Sequence, residues 1–145
     1  MEWTLSTSEN PPSIYLGEQL VVRRTAGGGW EVGHDGQWRS LREPRDYWRV
    51  VILLEKPMPE VVAAVGKFGD DFPYVNVVYS GLLMSQNWAR LAVGWIPLLP
   101  AADQGMLVPT LADIEKTSAF DQNLRRTARQ MRKLIERAAG MTEIR

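Results

Sequence analysis

Residues Gly27 to Trp38, "GGGWEVGHDGQW", hold five of the chain's twelve glycines, two of its six tryptophans and its single histidine. Glycines at this density cradle phosphates when their spacing allows, and a histidine beside an aspartate can serve as a general base or a metal ligand. Neither nucleotide template closes. A dinucleotide fingerprint opened at Gly27 needs a sixth-position glycine, where Val32 stands. A P-loop built on Gly28 and Gly33 needs lysine and then serine or threonine, where the chain has His34 and Asp35. His34 has no second histidine with which to build a metal site. The absence of cysteine removes thiolate ligands, disulfides and cysteine nucleophiles together. Asp70-Asp71, Asp113 with Glu115, and Asp121 fit helix caps and solvated helix faces, and no serine stands in a nucleophile elbow. The expectation is a non-enzymatic chain without catalytic, cofactor or metal residues.

Two other groups of residues carry binding chemistry. Seven basic and two acidic residues fall in 124–145, against an overall balance of seventeen each. At about 100° per residue, Arg125, Arg126, Arg129, Arg132, Lys133 and Arg137 share one side of a helix, interrupted by Glu136. Such a face meets an acidic protein surface or nucleic acid. A membrane is not expected as a partner, because the opposite stripe lacks aromatic anchors. The second group is the tryptophans. If Asp35-Gly36 forms a type I′ turn, residue 30 pairs with 41, 32 with 39 and 33 with 38. Trp30 and Val32 then face the core, while Trp38 takes the opposite face as an exposed anchor, unless a helix or the N-terminal arm covers it. Trp88 and Trp95 fall on an apolar helical stripe and are assigned to the core.

The elements that must position these residues change period once along the chain. Residues 1–13, ending in Asn10-Pro11-Pro12-Ser13, are expected as an irregular arm, and 14–56 as a β-meander of three or four strands. Its last strand is assigned to Asp46–Lys56, where the unbroken "VVILL" suggests burial on both faces. Residues 57–145 are expected to be helical and to share one core with the meander. A short helix follows Pro57, and Ser85 caps another whose apolar residues recur from Trp88 to Leu99. A third begins near Pro109, and a long one is capped by Asp121 or Ser118 and closed by Gly140. On that last helix, Leu124, Thr127, Ala128, Met131, Leu134, Ile135 and Ala138 form the packing stripe. Residues 72–99 admit two helices or two strands; helix is preferred, with Asp71 as cap and Pro73 in the first turn. The fold class is therefore α+β.

No stretch of about 18 apolar residues exists to span a bilayer, and the start "MEWTLSTSENPPS" lacks the pattern of a signal peptide, so the cytoplasm is the expected location. Residues 57–140, with "NWARLAVGWIPLL", "LVPTLADIEKTS" and "DQNLRRTARQMRKLIER", resemble HEAT-like helical hairpins. That resemblance implies a binding surface without intrinsic chemistry. With small size, segregated charge and abundant tryptophan, the expected function is a protein-binding or inhibitory module, such as a bacterial immunity-type or antitoxin-type protein. The alternative is nucleic-acid binding through the basic last helix.

Overall fold

A computed structural model of the chain describes residues 3–17 and 20–140. Five strands form one antiparallel sheet in sequence order: β1 (Leu5–Glu9), β2 (Pro12–Leu16), β3 (Leu20–Arg24), β4 (Trp30–His34) and β5 (Gln37–Leu41). A 3-10 helical segment, Pro44–Glu55, leads into α1 (Met58–Val65), α2 (Tyr74–Met84), α3 (Gln86–Trp95), α4 (Ala101–Met106), α5 (Val108–Lys116) and α6 (Gln122–Ala138). The molecule is α+β, an N-terminal meander followed by helices.

The β4–β5 turn forms as its residues dictate. Asp35 and Gly36 have φ of 54° and 78°, the pair of positive values that a type I′ turn requires. Trp30 pairs with Leu41, Val32 with Arg39 and Gly33 with Trp38. One face of the sheet therefore carries Ile14, Leu16, Val22, Trp30, Val32 and Leu41, all buried.

Three expectations are corrected. Residues 5–9 are not part of an irregular arm; they form the edge strand β1, paired with β2 from Leu5↔Leu16 to Glu9↔Pro12. Tertiary ties hold this strand. The Trp3 indole donates to Glu55 Oε1 at 2.8 Å, and Lys67 Nζ donates to Thr7 Oγ1 at 3.0 Å. Met1 and Glu2 of that arm lie outside the described residues, as do Glu18 and Gln19 of the expected meander and residues 141–145 of the helical part.

Second, Asp46–Lys56 is not a strand. Pro44 stands at the start of a 3-10 segment, and the Asp46 carboxylate accepts the Arg42 and Glu43 amides, each at 2.9 Å. These bonds hold its carboxyl below the usual carboxylate range. Val50, at φ −118° and ψ 17°, kinks the segment. Val50, Val51, Leu53 and Leu54 are all buried, so the apolar run satisfies burial as a winding segment rather than as a two-sided strand.

Third, residues 72–99 are helical as preferred, but Asp71 does not cap α2. Pro73 occupies the cap position without a side-chain bond, and Asp71 turns to the sheet. Ser85 does cap α3, accepting from the Trp88 amide.

One core joins the two parts. Trp30 of β4 meets Phe72 edge-on at 5.1 Å, Phe72 meets Tyr74 at 5.1 Å, and Tyr74 faces Trp95 of α3 at 6.5 Å. Trp95 is buried, with its indole N–H donating to the Lys56 carbonyl at 3.1 Å, while Trp88 is only partly buried against the core.

Candidate functional site

Asp121 sets the start of α6, its carboxylate accepting the Leu124 amide at 2.7 Å. The same side chain receives Arg90 Nη2 at 2.7 Å, and its own amide donates to Gln86 Oε1, which ties the helix start to α3. Gly140, with φ of 77°, closes the other end. Leu124, Ala128 and Ile135 are buried and Met131 is partly so, a seam spaced at i, i+4, i+7 and i+11. The seam is narrower than expected. Leu134, assigned to the packing stripe, is 54% exposed, and Ala138 is exposed as well.

The six cations of α6 divide into two sets. Arg132 is turned inward: its Nε and Nη2 donate to the Glu115 carboxylate of α5, and Nη1 donates to Glu136 Oε1 at 3.0 Å. These bonds lower the Glu115 pKa and raise that of Arg132. Arg125 is half-buried on the same flank, its Nε enclosed without a hydrogen-bond partner. Arg126, Arg129, Lys133 and Arg137 are exposed and carry no ion pair among the described residues. At 100° per residue these four occupy an arc of about 80°, and Leu134 stands beside it.

Trp38 lies on the outer face of β5, opposite Trp30, and is 36% exposed. Arg23 of β3 covers it, its guanidinium carbon 3.6 Å from the ring centroid, while Arg23 Nε donates to Glu31 Oε1 at 2.9 Å. Beneath the indole is Gly33, where a Cβ would fall 2.8 Å from the ring. The sheet thus builds a flat seat for this one side chain, with Arg23 stacked on it. The cover from Arg23 has no local sequence signal, because it reaches across β4 from β3.

The glycine-rich stretch supplies turns. Gly28 has a φ of 95° between β3 and β4, where the Thr25 hydroxyl accepts the Gly29 amide at 2.9 Å. His34 ends β4, its Nδ1 3.6 Å from the Asp35 carboxylate. Among the described residues no group of three or more His, Cys, Asp or Glu could hold a metal ion, and no helix is long and apolar enough to cross a membrane. The described surface carries an exposed cationic arc on α6 and a seated, partly exposed tryptophan on β5. No protein-family model, curated protein or solved structure matches the chain.

Proposed function

We propose that the protein is a non-enzymatic binding or inhibitory module, of the bacterial immunity or antitoxin kind, that engages an acidic protein surface through α6. The observation that supports this reading is the division of the cations. Arg132 is consumed in bracing the helix against α5, whereas Arg126, Arg129, Lys133 and Arg137 share one exposed arc and form no ion pair among the described residues, Arg129 reaching the Glu115 carboxylate only through its longer-range field. Clustered charge of one sign steers a complementary partner and fixes its register, and the exposed Leu134 offers apolar contact at the edge of the arc. Trp38, held flat and half-exposed, is the second proposed contact.

Co-purification of the full chain from its native host, with mass spectrometry of the bound protein, tests this reading. The paired Arg129→Glu and Lys133→Glu change is expected to abolish capture while leaving the melting temperature within a degree or so of the parent. Capture that survives the reversal overturns the assignment to α6. The same basic arc would also fit phosphates. Duplex DNA or RNA binding that falls steeply between about 50 and about 200 mM salt, and that the same reversal removes, would replace the protein partner with nucleic acid.

A further inference from the structure

The sheet's inner face changes character along its length. At one end, Trp30 and Leu41 are buried beneath the helical segment, and the buried Tyr47 hydroxyl donates to the Leu41 carbonyl at 3.2 Å. Toward the other end of the same face β5 presents Arg39 and Gln37, both exposed although they alternate in register with Leu41. The helical cover stops here at Trp48 and Arg49. A cavity of about 360 Å³ opens between sheet and segment, with Val32 and Leu20 among its apolar lining and Arg39, Arg49, Gln37 and Trp48 around them. His34 also borders it.

Three features make this recess a site rather than a packing gap. Arg39 and Arg49 bring two guanidiniums, neither has an ion pair among the described residues, and no described carboxylate lines the cavity. Trp48 is 50% exposed, and the Arg49 guanidinium carbon lies 4.7 Å from its ring centroid, so a large aromatic surface and a cation are presented together. The volume lies toward the small end of the range typical of small-molecule pockets, which suits one ring and its substituent. Guanidinium forks match oxyanions in plane and charge, and an indole accepts a flat ring against its face.

We propose that this recess binds a small molecule in which an oxyanion, a carboxylate or phosphate, is attached to a flat aromatic ring. Arg39 and Arg49 supply the donors for the oxyanion. Trp48 packs against the ring, and Val32 and Leu20 provide its apolar contact. The site is separate from the cationic arc of α6, and testing it requires no protein partner.

Titration of the isotope-labelled full chain, followed at the Trp48 indole N–H resonance assigned with Trp48→Phe, tests the proposal. Phenyl phosphate and phenylacetate are expected to shift this resonance saturably, with neutral phenylacetamide causing no saturable shift. Inorganic phosphate, lacking the ring, should bind at least fivefold more weakly than phenyl phosphate. Arg39→Gln and Arg49→Gln should each weaken phenyl phosphate at least fivefold, with Arg39→Lys intermediate and the exposed α5 variant Lys116→Gln unchanged. The proposal is overturned if phenylacetamide binds as well as phenylacetate, or if inorganic phosphate matches phenyl phosphate. It is equally overturned if both arginine variants bind normally, in which case increased self-association of Arg39→Gln would assign that residue to guarding the exposed edge of β5.

Discussion

Arg24 and Asp71, 47 residues apart, join the meander to the helical part: the β3 guanidinium grips both carboxylate oxygens, and the Trp30 indole donates to the same Oδ1 at 3.2 Å. The bonds from Arg24, and then from Trp30, hold the Asp71 carboxyl below the usual range. A depressed carboxyl contributes stability that is complete above its unfolded pKa of about 3.9 and disappears as pH falls through the lower folded value. Asp71→Asn is expected to lower the melting temperature at pH 7. The gap from the parent should begin to shrink as pH falls below about 3.9 and close only once pH is below the depressed folded value, where both chains carry an uncharged group. A constant gap across a pH series would show that the charge at Asp71 does not contribute.

The seat of Trp38 makes a second expectation. A Cβ at Gly33 would come 2.8 Å from the indole, so Gly33→Ala has to lift the ring from the sheet and away from Arg23. The Trp38 indole N–H resonance should move, and its line should broaden. Trp38→Ala should cost roughly 1 kcal/mol in chemical denaturation, the scale of an exposed cation–π contact with its buried area. An unmoved resonance in Gly33→Ala would show that the ring is not held there.

Both results bear on how much of the molecule its residues announce. The register that places Trp38 and Trp30 on opposite faces was legible because Asp35-Gly36 admits one tight turn, and a two-residue turn sets every later pair. α6 was legible from its period and its cap at Asp121. "VVILL" was not, because an unbroken apolar run has no period, and the outcome depended on Asp46 capturing the amides of Arg42 and Glu43. β1 was missed for a different reason. "LSTSE" is nearly featureless by itself, and its strand is secured by partners 52 and 60 residues away at Glu55 and Lys67. The cationic recess was likewise invisible, since it needs β5 and the kinked segment brought together.

Helix packing supplies a third expectation. α2 and the 3-10 segment approach each other at Gly81, where a Cβ would stand 2.5 Å from Leu54 Cδ1 and 3.2 Å from Ala92 Cβ of α3. Leu54 and Ala92 are buried and have little room to retreat. Gly81→Val should destabilise the fold by about 2 kcal/mol through overpacking, read from the urea midpoint at unchanged slope. Wild-type stability would mean that the two segments are less closely packed than the distances indicate.

The last expectation separates cations that look alike in sequence. Arg132 bonds to Glu115 and Glu136 with its side chain largely enclosed, and Arg129, three residues away, projects into solvent. Arg132→Gln removes charge-assisted bonds and leaves the Glu115 carboxylate short of its partner, which should cost about 2 kcal/mol. Arg129→Gln should change stability by less than about 0.5 kcal/mol, as surface substitutions do. Because the Glu115 pKa is lowered chiefly by the bond from Arg132, the Arg132 contribution should be complete at neutral pH and fall away in acid. For partner binding the order is expected to reverse, with Arg129→Gln weakening the complex and Arg132→Gln acting only through the stability of the free chain. Denaturation and affinity measured on the same two variants would show this crossing, and equal effects on both quantities would remove the distinction between bracing and contacting cations.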